Sequence, residues 1–305
     1  MSDPFDLSTT GDLPVTVQIP GYRLRRQVGE DSIGLWFDAE QQSLGRKVTL
    51  KVLRPQFEEH AGALAEFRQE IERLTKLVHP NLIKVLDTIE APVLALVTER
   101  FIGPTLQDLL APGKPLGQER ALRLARGIAS GLAHLDAAGL AHKNVTPGFL
   151  QVLEDGGCRL ALFRMAIPLA EQAALKGRLA QDPQYVAPEQ LAGDDPIGPK
   201  TPVYQVGALL FHMLAGRPPF EPGTPQEVAR AHLRTEFPSL KRAQPFLQPA
   251  VQELVEECTA RDPEERPDLA ELIATLDGMV TRKGGAGGAA ASDAPVARRR
   301  RRRRR

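Results

Sequence analysis

The stretch VYQVGALLFHMLAG, residues 203–216, constrains the fold more than any other part of the chain. It is apolar on most sides at helical spacing, and a helix of that kind is buried all round instead of along one stripe. We therefore predict a buried helix here, within a region of the chain in which helices dominate. The 305 residues suffice for one large domain or for two lobes that share a cleft.

Periodicity divides the chain into two regions of different secondary structure. YRLRRQVG, LWFDAEQQ and KVTLKVL are strand-like, residues 57–78 follow a helical period, and LIKVLDTIE and PVLALVTERF are again strand-like. From residue 116 onward helices dominate. GQERALRLARGIASGLAHLDAAG is a long amphipathic helix closed by Gly139, and Pro267 is suited to the start of a last helix, PDLAELIATLD.

These regions predict an α+β fold with a small β-rich lobe that carries one long helix and a larger, mainly helical lobe. We place the boundaries at residues 1–20 for an N-terminal lead-in, 21–102 for the small lobe, 103–281 for the large lobe, and 282–305 for a Gly/Ala linker followed by arginines.

Composition is that of a soluble globular protein, with 42% apolar and 25% charged residues. No apolar run approaches the roughly 20 residues of a membrane span, and MSDPFDLSTT does not resemble a secretory leader. Cys158 and Cys258 are expected to be reduced and structural. The six histidines form no ligand cluster, so we predict no metal site.

The net charge of +1 hides an uneven distribution. Arg298–Arg305 is a run of eight arginines. Without it, 31 Lys and Arg stand against 38 Asp and Glu, a formal charge of −7. The chain is thus an acidic body joined to a basic segment.

Seven motifs between about residues 21 and 280 occur in an order that resembles a eukaryotic-like Ser/Thr protein kinase domain of the type found in bacteria. They are KVTLKVLRP, FRQEIERLTKLVHPNLIKVLD, HKNVTPGFL, LALFRMA, YVAPEQL, VYQVGALLFHMLAGRPPF and RDPEERP. Any one alone is weak, but seven at the right spacing are specific. The resemblance implies a bilobal kinase-like fold.

In such a kinase a glycine-rich loop covers the nucleotide phosphates. By this resemblance Gly29 and Gly34 match its first and third glycines, whereas Asp31 replaces the middle one and puts a carboxylate beside the phosphates. Trp36 matches the valine that caps adenine. Two readings stay open: the indole fills part of the adenine slot, or it packs on the sheet.

Lys51 and Glu70 match the lysine that grips the phosphates and its glutamate partner. We treat them as a vestige of nucleotide binding, with a structural ion pair between helix and sheet as the favoured role.

The catalytic positions of the family are altered. Asn144 stands for the catalytic aspartate, and an amide has no useful basicity at neutral pH. Thr146 stands for the neighbouring lysine. Phe149 and Leu162 stand for the two magnesium ligands, although magnesium requires oxygen ligands, and Arg164 replaces a glycine. The resemblance therefore implies no catalytic residue and no metal.

The packing positions of the family are kept. They comprise three members of an apolar column between the lobes and both partners of a buried ion pair: Leu74, His142, Phe163, Glu189 and Arg266. One scaffold position departs, since Pro202 replaces an aspartate that holds the catalytic loop. Random mutation would alter the catalytic positions and the packing positions alike. Because the catalytic positions are altered and the packing positions are largely kept, the pattern indicates a pseudokinase.

Three functions remain open at this stage. The favoured one is a catalytically inactive scaffold that binds a partner protein, with an active kinase among the candidates, and that uses no cofactor. The alternatives are an atypical kinase with weak ATP-dependent phosphotransfer and a nucleotide sensor without turnover, both of which would bind ATP without ordinary magnesium coordination.

The arginine run admits several interpretations. It could contact anionic lipid, flank a membrane span on its cytoplasmic side, or serve as a solubilising segment. Nucleic acid lacks support as a partner, because no aromatic residues interleave with the charge. We expect a cytoplasmic protein at the inner face of the membrane.

Overall fold

The computed structural model describes residues 18–30, 34–54, 61–101, 103–142, 145–161, 166–168, 183–191, 198–221 and 223–281. Of residues 63, 66, 70 and 166–168 it describes the backbone alone.

The small lobe is a five-stranded antiparallel sheet. Its strands are β1 (Tyr22–Glu30), β2 (Gly34–Gln41), β3 (Arg46–Leu53), β4 (Val85–Ile89) and β5 (Ala95–Glu99), in the order β1-β2-β3-β5-β4. All five lie within or beside the stretches predicted as strands. One face of the sheet is buried by apolar side chains, because alternate residues of a strand point to the same face. These residues are Phe37, Ala39, Val48, Leu50 and Val97.

The helix predicted for residues 57–78 is observed as α1 (Ala61–Thr75), and residues 55–60 lie outside the described part. Phe67, Ile71 and Leu74 occur at i, i+4 and i+7 and are buried in one cluster with Leu53 and Leu96 of the sheet. The same cluster continues into the large lobe, so the two lobes share apolar packing.

Helices build the large lobe. They are α2 (Leu106–Leu109), α3 (Gln118–Ala137), α4 (Pro188–Leu191), α5 (Thr201–Ala215), α6 (Pro225–Arg234), α7 (Leu240–Ala243), α8 (Pro249–Cys258) and α9 (Leu269–Thr281). The large lobe also contains two short antiparallel strand pairs: β6 (Leu140–His142) with β9 (Ala166–Pro168), and β7 (Leu150–Val152) with β8 (Cys158–Leu160). The fold is α+β, as predicted.

Helix α5 contains the apolar stretch at residues 203–216 almost entirely, and every residue from Val203 to Leu214 is buried. Its neighbours come unusually close. A Cβ on Gly207 would lie 2.6 Å from Cβ of Cys258 in α8, so glycine is required where the two helices meet. None of the described helices is long and apolar enough to cross a bilayer.

The last helix starts two residues later than its predicted proline. Asp268 is the capping residue of α9: its carboxylate accepts a hydrogen bond from the Glu271 amide, and its own amide donates to Oε2 of Glu271. Pro267 therefore precedes the cap instead of occupying the first turn, because Asp offers the side-chain acceptor that a helix start requires.

A fully buried ion pair joins α4 to the turn before α9. Arg266 donates from Nη1 and Nη2 to the two carboxylate oxygens of Glu189 at 2.6 and 2.9 Å. The pair is further satisfied, since Thr201 donates to Oε1 of Glu189 at 2.7 Å and Arg266 donates to the carbonyl oxygen of Ala260. Its side chains are 0% and 1% exposed.

Replacing one partner of this pair is predicted to destabilise the protein strongly. Arg266→Met leaves the Glu189 carboxylate buried without its counter-charge, which should lower the free energy of unfolding by about 3–5 kcal/mol in urea denaturation. The control is Lys76→Met, which breaks the exposed Lys76–Glu72 pair and should cost under about 1 kcal/mol. Equal losses in the two variants would contradict this assignment.

Two buried Tyr–His pairs should make stability depend on acid pH. The Tyr185 hydroxyl lies 2.7 Å from Nδ1 of His212, and the Tyr204 hydroxyl lies 2.8 Å from Nδ1 of His232. Desolvation by burial lowers the pKa of each histidine to about 4 from 6.5. Each ring is therefore protonated more readily in the unfolded chain.

Stability from these histidines is present above pH 6.5 and is lost as the pH falls from 6.5 towards 4, with a slope of up to about 1.4 kcal/mol per pH unit for each group. Urea midpoints measured between pH 7.5 and 4.5 test this. The double variant His212→Gln, His232→Gln keeps hydrogen-bonding side chains but cannot titrate, and its pH profile should be flatter. An unchanged profile would show that other groups govern the acid limb.

The two cysteines are buried thiols, and their reactivity should be low. Burial raises the pKa of both Cys158 and Cys258 to about 12, because the thiolate is poorly solvated there. Neither forms a disulfide. A thiol-specific reagent at pH 8 should label the native protein only slowly and the urea-unfolded protein at two sites. Rapid labelling of native protein would contradict the prediction.

Candidate functional site

The candidate site lies where the two lobes meet. It is bounded by β1, β2 and β3 of the small lobe, by the linking residues 99–101, and by β7 and β8 of the large lobe. Backbone hydrogen bonds connect the lobes here. The amide of Ile83 donates to the carbonyl oxygen of Leu160 at 3.0 Å, and the amide of Leu160 donates to the carbonyl oxygen of Asn81 at 2.8 Å.

Lys51 is fully buried, with 0% of its surface exposed. Its ammonium nitrogen lies 5.1 Å from the ring centroid of Trp36 and 5.1 Å from that of Phe67. Each contact is a cation–π interaction worth about 0.5–2 kcal/mol. The side chain of Glu70, the expected partner of Lys51, lies outside the described residues, so their pairing stays a prediction.

Gly34 makes room for this lysine. A Cβ at position 34 would lie 2.5 Å from Cε of Lys51, so any larger residue would displace the lysine stem. Gly29 lies on β1, and its Cα is paired with that of Trp36 next to an irregularity in the strand register. Residues 31–33, which include Asp31, lie outside the described part.

Trp36 is buried, with 4% exposure, in a cluster that bridges the lobes. We call it the cleft cluster. Its members are Val28, Trp36, Ile83, Phe101 and Ala161, with Phe149 packed against them. The indole thus lies in a cluster that contains residues of both lobes, and the two interpretations of Trp36 stay open.

Several backbone polar groups of the residues that link the lobes are paired within the protein. The amide of Phe101 donates to Oγ1 of Thr49 at 3.0 Å. The Thr98 hydroxyl lies 3.0 Å from the carbonyl oxygen of Glu99 and 3.3 Å from that of Thr49. Backbone donors and acceptors are groups by which pockets orient small ligands, and here a ligand would have to displace a threonine to reach that amide.

Two ion pairs fix the linking residues from both sides. Arg100 donates to the two carboxylate oxygens of Asp38 on β2 at 3.0 and 3.1 Å. Arg159 on β8 donates to Glu99 at 2.9 Å. One pair thus connects the linking residues to the small lobe, and the other connects them to the large lobe.

The described residues include two of the altered catalytic positions. Thr146 is buried and precedes a short 3₁₀ turn, Pro147–Phe149. Phe149 contacts the ring of His142 edge-on, with centroids 6.5 Å apart, and carries no oxygen on its side chain. Asn144, Leu162 and Arg164 lie outside the described residues, so their roles stay predictions.

Of the packing positions, Leu74 and His142 are buried, at 3% and 4% exposure, and His142 Nε2 lies 3.2 Å from the carbonyl oxygen of Ala161. Phe163 lies outside the described part. Pro202, in the first turn of α5, lines a small cavity beside Ala141 and His142. Among the described residues, no group of three His, Cys, Asp or Glu could hold a metal ion.

Sequence reasoning missed several residues of this site. Phe67, Thr49 and Thr98 were not singled out, nor was the Arg100–Asp38 pair. Two of them carried a signal. Thr49 precedes Lys51 by two positions in a strand and so shares its face. Phe67 precedes Glu70 by three positions in a helix and so lies on the same side.

Comparison with known proteins agrees with this architecture. A family model described as "Protein kinase domain" matches residues 22–276. Serine/threonine-protein kinase pkn3 of Myxococcus xanthus is 30% identical over 266 residues, which are 82% of this chain and 48% of that protein. Serine/threonine-protein kinase PrkC of Bacillus subtilis is 28% identical over 82% of this chain and 39% of its own length.

Serine/threonine-protein kinase PknA of Mycobacterium tuberculosis is 30% identical over 80% of this chain and 58% of its own length. The matched region therefore spans about two to three fifths of these relatives. Since the family model covers most of the chain and the observed lobes accord with it, this chain belongs to the protein kinase domain family and is related to bacterial Ser/Thr kinases.

Proposed function

We propose that this kinase domain is a catalytically inactive scaffold for protein binding in signalling, and that it does not use Mg-ATP. Its partner would be another protein, with an active kinase as one candidate. The cytoplasmic face of the membrane is its proposed location, since the arginine run would be attracted to anionic lipid there.

The observation that carries the proposal is the environment of Lys51. In an active kinase the corresponding lysine binds the nucleotide phosphates. Here its ammonium group lies between the rings of Trp36 and Phe67 and has no exposed surface. To bind a phosphate in the cleft, the ammonium would have to move away from both rings.

The groups that Mg-ATP would require do not fit this cleft well. The linking amide of Phe101 is already bonded to Thr49. The family places an oxygen ligand for magnesium at each of two positions. In this chain Phe149 and Leu162 occupy them, and neither side chain carries an oxygen. Asn144 replaces the residue that would accept the proton of the substrate hydroxyl.

The scaffold role is supported by what the chain keeps. The Glu189–Arg266 pair is intact and fully buried, and the linking residues are held by ion pairs to both lobes. These interactions maintain a defined shape although the chemistry of the cleft is altered. A defined surface is what a binding module needs.

ATP is predicted to leave the thermal stability unchanged. A ligand present at 100 times its dissociation constant stabilises a protein by about 2.7 kcal/mol, and each kcal/mol raises the melting temperature of a domain of this size by about 2–4 °C. We expect no saturable shift with 1 mM ATP, with or without magnesium. Phosphate transfer to a generic protein substrate, measured in parallel, should be absent.

Two variants decide the alternatives. A shift in the wild-type protein that Lys51→Ala abolishes, without turnover, would establish a nucleotide sensor. Phosphate transfer that depends on Lys51 would establish an atypical kinase and refute the proposal. Trp36→Val removes the indole from the cleft, so a shift with ATP that appears only in this variant would identify the indole as the obstacle.

A further inference from the structure

A wide groove lies on the large lobe, away from the cleft. It is formed by the end of α8, the 3₁₀ turn Pro263–Glu265 and the start of α9, and its volume is about 990 Å³. Five exposed glutamates line it: Glu256, Glu257, Glu264, Glu265 and Glu271.

The two cations in the groove wall are already paired. The guanidinium of Arg266 is fully buried against Glu189. Lys200 lies 3.6 Å from a carboxylate oxygen of Glu264 and also donates to the Glu264 carbonyl oxygen at 3.3 Å. The groove lining therefore has five glutamates against two cations, a formal charge of −3.

The groove lies in the most acidic part of the chain. Residues 249–281 contain nine Asp and Glu against two arginines, a formal charge of −7. That charge equals the whole excess of acid over base in the chain outside Arg298–Arg305. The acidic excess and the arginine run are therefore close in sequence as well as opposite in sign.

We propose that this groove is a docking surface for an arginine-rich segment and that its occupant is Arg298–Arg305 of the same molecule. Arginine suits such a surface because its planar guanidinium forms bidentate hydrogen bonds with carboxylates. Docking withdraws the arginines from anionic surfaces, so release from the groove governs when they bind one.

The chain length permits this contact. Helix α9 carries Glu271 in its first turn and ends at Thr281, which lies about 15 Å further along the helix axis. Residues 282–297 separate the helix from the arginines, and sixteen residues span up to about 55 Å. Each exposed ion pair is weak alone. Several such ion pairs can form at once between the arginine run and the groove. The short tether also gives the run an effective concentration in the millimolar range at the groove.

The test uses the full chain with a nitroxide attached at Ser292→Cys, just before the arginines. The native thiols, Cys158 and Cys258, are buried and should not compete for the label. At low salt, NMR signals from amides of residues 253–275 should lose intensity relative to the same sample after reduction of the nitroxide. The loss should disappear in 1 M NaCl, where the Debye length is about 3 Å.

The groove variant combines Glu256→Lys, Glu257→Lys and Glu264→Lys. Two of these positions lie in the last turn of α8, where a cation is compatible with the helix dipole. The matched control combines Glu72→Lys, Glu90→Lys and Glu119→Lys, which change the net charge equally at exposed sites on other elements. Intensity loss should vanish in the groove variant and persist in the control.

A second readout is binding to vesicles that contain phosphatidylserine. The groove variant should bind them roughly tenfold more tightly than the control, equivalent to about 1.4 kcal/mol, because its arginines are released. Should the groove variant fail to fold, a chain with Arg298–Arg305 replaced by serine keeps the groove and must lose the broadening.

Broadening that is absent at low salt, or equal in the groove and control variants, overturns the proposal. So does broadening of an isotope-labelled chain by a nitroxide on a second, unlabelled chain, because the occupant would then come from another molecule. Equal vesicle binding by the two variants would show that the arginines bind lipid independently of the groove. None of these results depends on whether the cleft binds ATP.

Discussion

The buried pair Glu189–Arg266 is the interaction on which the large lobe depends. It joins α4 to the turn before α9, and Thr201 connects the same carboxylate to the start of α5. Two consecutive helices and a turn that lies 77 positions after Glu189 thus converge on one desolvated ion pair. Such a pair is tolerated only when every polar atom is satisfied, and the carbonyl oxygens around Arg266 meet that requirement. Because the start of α5 is fixed in this way, neighbouring elements can enclose the helix along its whole length.

The interface between the lobes follows a different principle. Apolar side chains of both lobes meet there, since Val28 and Trp36 of the small lobe lie in one cluster with Phe149 and Ala161 of the large lobe. Trp36 and Phe67 hold the Lys51 ammonium between their rings, and Gly34 provides the space for the lysine stem. The ion pairs of Arg100 and Arg159 fix the linking residues. These apolar and ionic contacts connect the two lobes and the residues that link them.

The cleft and the acidic groove are separate parts of the molecule. The inference that the domain does not use Mg-ATP depends on the cleft. The inference that the arginine run docks on the large lobe depends on an acidic groove well away from it. The proposed scaffold would be regulated at its surface, where the proposed charge-based contact competes with anionic lipid.

The sequence alone determined the family, the two lobes, the five strands of the small lobe and the helices α1, α3, α5 and α9. It could do so because period-2 and period-3.6 patterns are local, as in LWFDAEQQ and VYQVGALLFHMLAG, and because seven motifs kept their spacing. It also identified Trp36, Lys51, Phe149, Glu189 and Arg266 as positions of interest. The Asp268 cap shows the limit of such rules, since Pro and Asp both mark a helix start and only the backbone distinguished them.

What only the tertiary structure decided was where the side chains of these residues go. That Lys51 lies between Trp36 and Phe67 depends on α1 packing against the sheet, and no local pattern specifies that contact. The bond from Phe101 to Thr49 and the pair of Arg100 with Asp38 join residues 52 and 62 positions apart. The groove on the large lobe likewise forms only when α8 and α9 come together. Charge and periodicity can be read from a segment of the sequence. Pairing and burial depend on the distances between residues that are remote in sequence, and the packed fold sets those distances.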